Sequence, residues 1–259
     1  MSKIYNNIKS NKKRKRTTLK FLLYVLIFIT LIGVGFWIQL QINNMKSQKE
    51  LIWPNSKNTT FGIDVSQYQG NINWAQVKTH PEPISFVFIR ASMGKDGIDA
   101  TFAKNWAEAK SSGIIRGAYH YYRPNENSSL QFDNFAQRVT IQSGDLPPVL
   151  DIERESQFGI ENLRHGLKNW LNLAESHFGV KPIIYSGRAF YLHHLKGHFD
   201  EYTFWIADYS NTNSMQKLPL IIHQFSQQHK VNGINHPVDG NYFKGGKEEL
   251  MALCIPQNF

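Results

Sequence analysis

Leu146-Pro147-Pro148-Val149-Leu150-Asp151-Ile152-Glu153 is the stretch on which the reading of this chain turns. Val149, Leu150 and Ile152 are aliphatic, and the two prolines mark where a strand begins, because proline has no N–H to give to a sheet ladder. Two acids follow at positions i and i+2. Residues two apart in a strand share a face, so Asp151 and Glu153 stand side by side at a strand end, with Ile152 pointing the other way. Like charges held that close cannot both ionise cheaply, and one carboxyl stays protonated toward neutral pH, as a general acid requires. Two solvated acids at the rim of a sheet would carry the same pattern, so the rest of the chain has to decide.

Eight strand-like runs alternate with helical ones: 61–66, 84–91, 114–121, 149–153, 181–186, 203–208, 220–225 and 238–242. Helices are expected over 101–112, 128–141 and 161–178, where apolar residues recur at helical spacing. After Tyr185 the helical segments shrink and the last strands are joined by short loops. Near-continuous apolar strands alternating with helices imply a parallel sheet covered on both faces. Eight of them in about 200 residues imply a TIM-like β/α barrel with a reduced helix count of about five. Polar groups fall at the C-terminal ends of these strands: Asp64, Arg90, Tyr119, Tyr121, Asp151, Glu153, Tyr185, Asp208, Gln224, Asp239 and Asn241. A closed barrel brings such ends together at one mouth.

Charge is distributed unevenly. The net charge is +9, but residues 1–20 hold eight of the 29 basic residues and no acid, leaving 21 basic against 20 acidic residues in the rest. A nearly neutral body gives no support to a nucleic-acid partner. Residues 21–40 form an apolar run without charge, matched in length to a bilayer core. The basic arm before it places the N-terminus in the cytoplasm. The expected organisation is a cytoplasmic arm (1–20), one transmembrane helix (21–40), a linker (41–60) and an extracytoplasmic barrel domain (61–259). A cleaved signal peptide is the alternative, although no small-residue cleavage site follows. The single cysteine, Cys254, cannot form an internal disulfide, and no Cys/His spacing suggests a metal. No metal or cofactor is expected, and a monomer is.

The order of motifs resembles glycoside hydrolase family 25, the lysozyme or N-acetylmuramidase family. The resemblance opens with Phe61-Gly62-Ile63-Asp64-Val65-Ser66-Gln67-Tyr68-Gln69-Gly70. It continues through Phe88-Ile89-Arg90-Ala91, Gly117-Ala118-Tyr119-His120-Tyr121, Asp151-Ile152-Glu153, Pro182-Ile183-Ile184-Tyr185-Ser186, Trp205-Ile206-Ala207-Asp208-Tyr209 and Val238-Asp239-Gly240-Asn241. It implies a β/α barrel with fewer than eight helices. The implied reaction is cleavage of the β-1,4 bond between N-acetylmuramic acid and N-acetylglucosamine in peptidoglycan. Glu153 matches the family's general acid, Asp151 the neighbouring carboxylate, and Asp64 and Asp239 two further acids of the cleft. Met93-Gly94 departs from the pattern, since relatives often carry an acid or amide before that glycine.

On this reading Glu153 is protonated and Asp151 ionised, steadying positive charge on the sugar. The substrate's 2-acetamido group could itself attack the anomeric carbon, with Asp151 orienting it; inversion through a bound water is the alternative. Tyr119, Tyr121, Tyr185, Asp208 and Gln224 are expected at the sugar. Other readings stay open. Asp64 could serve the turn at Ser66–Gly70, Asp239 could be a turn aspartate, and the tyrosines could be core residues. His120 is expected to point away from the mouth. A non-catalytic peptidoglycan-binding scaffold on the same barrel is the rival function; a metal-dependent deacetylase would need Asp/His ligands grouped at strand ends.

Overall fold

The computed structural model describes residues 33–35, 38–39, 59–210 and 220–256. Two compact units divide the chain, Met1–Ile52 and Trp53–Phe259, and the barrel belongs to the second. The expected membrane span and most of the linker lie outside the described residues; among the described residues no helix is long and apolar enough to cross a membrane.

The strands are β1 (Thr59–Val65), β2 (Phe86–Met93), β3 (Gly97–Ile98), β4 (Ile115–Tyr121), β5 (Val149–Asp151), β6 (Ile183–Gly187), β7 (Thr203–Ala207), β8 (Leu220–His229) and β9 (Val238–Lys244). They pair in the order β1-β9-β8-β7-β6-β5-β4-β2, and a β1–β2 pairing closes the ring. The barrel therefore has eight strands, with β3 a two-residue hairpin arm on β2. The helices are α1 (Trp74–Val77), α2 (Phe102–Ser111), α3 (Ser128–Ala136), α4 (Ile160–Phe178), α5 (Arg188–Phe190), which runs into a π-type turn at Tyr191–Leu195, and α6 (Lys247–Leu253).

Two expectations are corrected. The sheet is not wholly parallel: β9 runs antiparallel to both β8 and β1. Residues 230–237 between β8 and β9 contain no helix, and so short a link can return the chain only antiparallel, whereas a parallel crossover needs a dozen residues or more. Helix α3 stops at Ala136 rather than at 141. The β-branched run Val139-Thr140-Ile141 follows, and such residues lose side-chain freedom in a helix.

Alternation along the strands makes two cores. One face of each strand fills the barrel with Phe86, Phe88, Val149, Ile183, Trp205, Ile222 and Phe243, joined by Leu250 of α6. The other face packs Val87, Ile89, Ala118, Leu150, Ile184, Phe204 and Ile206 against the helices. Helix α4 meets this outer layer with Leu163, Leu167, Trp170, Leu171, Ala174 and Phe178, an apolar stripe at helical spacing, and stops at Gly179 with φ 65°. Inside the barrel, Phe88 stacks on Trp205 with ring centroids 4.5 Å apart. There is room for these rings because two inward positions have no side chain. A Cβ on Gly62 would lie 2.5 Å from the Phe86 ring, and one on Gly117 2.5 Å from the Phe88 ring.

Gly117→Val should therefore overpack the barrel interior by about 1–3 kcal/mol, lowering the thermal midpoint by several degrees. Thermal unfolding followed by circular dichroism tests this, and an unchanged midpoint would refute the account of the interior.

Candidate active site

The C-terminal ends of the parallel strands open onto a cavity of about 200 Å3 whose lining includes Asp64, Tyr119, Tyr121, Asp151, Glu153, Tyr185, Gln224 and Asp239. Register explains the convergence. Asp64 and Asp239 are directly opposed on antiparallel β1 and β9. Tyr121 pairs with Asp151, Asp151 with Tyr185, and Tyr185 with Trp205 around the ring. Gln224 pairs with Asn241.

A directed hydrogen-bond chain holds the β1 side of the cavity. Tyr185 donates to Gln224 Oε1 at 2.8 Å, and Tyr209 donates to the same oxygen. The Gln224 amide then donates to Asp64 Oδ2 at 2.9 Å. Trp205 donates to Asn241 Oδ1 at 2.8 Å, and the Asn241 amide donates to the same Asp64 oxygen at 2.8 Å. Both relays thus reach Asp64, and each amide also makes a longer bond, 3.4 Å, to Asp239. Burial nevertheless raises the Asp64 carboxyl well above its ordinary value; the charge of Asp239 adds to the rise, and the two amides oppose it. Asp239 is raised too, chiefly by burial. The turn after β1 does not use Asp64. Ser66 and Gln69 cap it reciprocally, and Asp99 accepts from Gln67 N at 2.8 Å. Asp239 lies within β9 rather than in a turn.

Strand β5 ends at Asp151, yet the chain stays extended past it. Tyr122 N donates to Asp151 O at 2.8 Å, Ile152 N to Tyr185 O at 3.0 Å, and Ser186 Oγ to Ile152 O at 2.8 Å. This keeps Glu153 on the same side as Asp151. The two carboxyls differ in setting. Asp151 is buried on the cavity floor, and its Oδ1 has no hydrogen-bond partner among the described residues. Its pKa is raised well above the ordinary value by burial, then by Glu153 and Asp64, against Arg90. Glu153 sits at the rim; although the residue as a whole is exposed, partial desolvation between the cleft walls raises its carboxyl, with Arg154 opposing. Burial is the first cause in both, and it favours the neutral form of each.

Tyr119, Tyr121 and Tyr185 all have raised pKa values, with burial the first cause in each, so they remain phenol donors. Asp208 is not brought to the cavity. Trp205 lines it, and residues alternate along β7, so Asp208, three positions on, faces outward. There it accepts from Ser210 N at 2.9 Å, with Arg188 Nε 3.4 Å away. His120 also faces outward, as expected. It lies 2.8 Å from Ser92 Oγ and stacks on Trp170, and burial lowers its pKa to about 3. Sequence reasoning missed Trp205 and Tyr68 as site residues, and placed Arg90 and Asn241 at the mouth without a role. Arg90 is buried, 3.1 Å from Asp99, with its guanidinium 4.8 Å from the Tyr68 ring centre. The usable signal was strand parity: Trp205, Ala207, Gln224 and Asn241 all fall on the inward alternation. Among the described residues no group of three or more His, Cys, Asp or Glu side chains is arranged to hold a metal ion. Chemically, the arrangement offers a rim acid near an exposed face, buried acids opposite, and phenol and amide donors between.

Comparison with known proteins covers most of the barrel, the family match stopping short of its last strand, β9. The family model described as Glycosyl hydrolases family 25 matches residues 63–234. The chain is 39% identical over 199 residues to the protein YegX of Escherichia coli strain K12, covering 75% of this chain and 73% of that one. It is 32% identical over 221 residues to Lysozyme M1 of Streptomyces globisporus, covering 78% and 74%. Among solved structures, a family 25 glycosyl hydrolase from Bacillus anthracis superposes with a TM-score of 0.71 at 25% identity, over 78% of this chain and 96% of that one.

The raised carboxyls cost stability. A carboxyl whose folded pKa lies above its unfolded one binds more protons when folded, so its ionisation at neutral pH works against folding. Asp239→Asn should raise the thermal midpoint at pH 8, and the gain should vanish as the pH falls below about 4, where the unfolded carboxyl is protonated as well. Melting curves at the two pH values check this; a loss at pH 8 would contradict it.

Proposed function

The chain belongs to family 25 of the glycosyl hydrolases, and from that premise we propose that it is a muramidase, cleaving the β-1,4 bond between N-acetylmuramic acid and N-acetylglucosamine in peptidoglycan. The observation that carries this is the single cleft holding Asp64, Asp151, Glu153 and Asp239 at the mouth of a family 25 barrel. The resemblance to Lysozyme M1 supports the substrate.

Glu153 is the general acid. It stands at the rim, where a glycosidic oxygen can reach it, and its raised pKa keeps a proton available. Asp151 lies beneath. The residue lines the same cavity, where its carboxyl is to accept from the N–H of the substrate's 2-acetamido group. A hydrogen bond there favours the ionised carboxylate, returning Asp151 to the charge state that steadies a positive anomeric carbon. The acetamido oxygen then attacks C1 from within the substrate while Glu153 protonates the departing oxygen, and water opens the resulting ring. Asp64, held by Gln224 and Asn241, and Asp239 form the opposite wall with phenol donors between. One chain supplies the whole cleft, so a monomer suffices.

We further infer a location outside the cytoplasm, with residues 21–40 as a membrane anchor. The support is the uncharged apolar run behind a basic arm. Recovery of the full chain in the membrane fraction after an alkaline wash is the expected result. A soluble product cut after residue 40 would refute it.

The decisive assay compares reducing ends released from purified peptidoglycan by the wild type and by Glu153→Gln. New muramic-acid ends are expected from the wild type, with a rate lower by about 10²–10⁴-fold in the variant. The wild-type rate should fall as pH rises through the elevated Glu153 pKa, because the working form is protonated. Tight glycan binding without cleavage by the wild type would favour a scaffold instead.

A further inference from the structure

A second cavity, of about 580 Å3, adjoins the catalytic one and shares Tyr68, Arg90 and Tyr121 with it. The two are lobes of one cleft. Three arginines from three segments line the second lobe: Arg90 from β2, Arg123 just after β4, and Arg154 just after Glu153.

Their charges are not equally engaged. Arg90 is matched by buried Asp99. Arg123 lies 3.2 Å from Glu126 and 3.6 Å from Asp96, with more than a third of its side chain exposed. Arg154 makes no ion pair among the described residues. The two acids of this lobe, Glu126 and Glu155, have partners of their own. Glu126 accepts Lys95 N at 2.7 Å as well as Arg123, and Glu155 lies 2.9 Å from His194.

The wall is also built rather than loose. The Asn134 amide donates to Gly94 O at 2.7 Å and Gly97 O at 2.9 Å, clamping the β2–β3 turn. Gly94 has φ 59°, and a Cβ there would meet Glu126 Oε2 at 2.5 Å and Arg123 Cδ at 2.6 Å. This is the place where Met93-Gly94 departs from the family pattern, and Met93 brings no acid to the lobe.

We propose that this lobe receives the acidic substituent of the substrate's muramic acid, with a carboxylate held by Arg154 and Arg123. The proposal rests on the muramidase reading and goes beyond it by naming what discriminates muramic acid from other acetylated amino sugars. Arg154 supplies a further physical reason. Its charge depresses the neighbouring Glu153 carboxyl, the wrong direction for a group that must keep a proton, and a bound carboxylate cancels that field. The carboxylate could be the sugar's own lactyl group or belong to the stem peptide.

The test measures KM and kcat for the full-length wild type, Arg154→Gln and Arg123→Gln on three substrates. These are intact peptidoglycan, glycan strands stripped of peptide to free the lactyl carboxylate, and the stripped strands with that carboxylate converted to its methylamide. The wild type should show a KM roughly tenfold lower for carboxylate-bearing glycan than for the amide, as suits a hydrogen-bonded ion pair. Each substitution should erase most of that ratio, and added salt should shrink it. Preference for the stripped acid over its amide assigns the lactyl group; preference for intact material alone assigns the stem. Equal KM values for all three substrates in the wild type, or a preference that survives both substitutions, overturns the proposal while leaving the muramidase intact. A wild type that cleaves none of the three removes the muramidase reading, and this proposal with it.

Discussion

Side-chain alternation in a closed ring of strands is the constraint on which this molecule depends. Closure gives every strand two buried faces and no free edge. One face must therefore fill the barrel and the other must meet the helices. Phe86 and Phe88 take the first role, Val87 and Ile89 the second, within four consecutive residues. The same alternation, carried one step beyond the packed layers, sets Asp64, Tyr119, Asp151, Tyr185 and Gln224 on the inward side at the mouth. The site is the top layer of the barrel's own interior.

That origin explains its electrostatics. Groups that belong by geometry to a packed interior are poorly hydrated, so the carboxyls at the mouth are pushed toward their neutral forms. The amides of Gln224 and Asn241 offset part of the penalty at Asp64 by donating to one oxygen. Aromatic neighbours fix those amides in turn, through Tyr185, Tyr209 and Trp205. The core aromatics and the site are therefore one structure: Trp205 packs on Phe88 with its ring and orients Asn241 with its N–H.

The cleft is asymmetric around Glu153. On one side lie the buried acids and their neutral donors. On the other lies a wider lobe lined by arginines from three segments together with Glu126 and Glu155. The neighbouring residues Glu153 and Arg154 thus line different lobes.

Much of this was legible in the chain. All eight barrel strands, the three long helices and the outward turn of His120 follow from periodicity, because burial imposes period two on strands and 3.6 on helices. The pairing of Asp151 with Glu153 on one side was legible for the same reason, although β5 itself ends at Asp151. Three features were not. The reversal of β9 comes from a link too short for a crossover, and a link's geometry depends on where its two ends are held. The outward position of Asp208 follows from Trp205 lining the cavity three residues before it, and which alternation of β7 faces inward is fixed only in the closed ring. The rise at Asp151 as well as at Glu153 comes from burial in the cavity, a property of the closed surface and not of the local sequence. What the sequence by itself determined was which residues alternate and which chemistry they bear, since both are local. Which of them meet, how deeply each is buried and which charges are left unanswered were decided only by closure of the barrel, because hydration and Coulomb forces act through space between residues far apart in the chain.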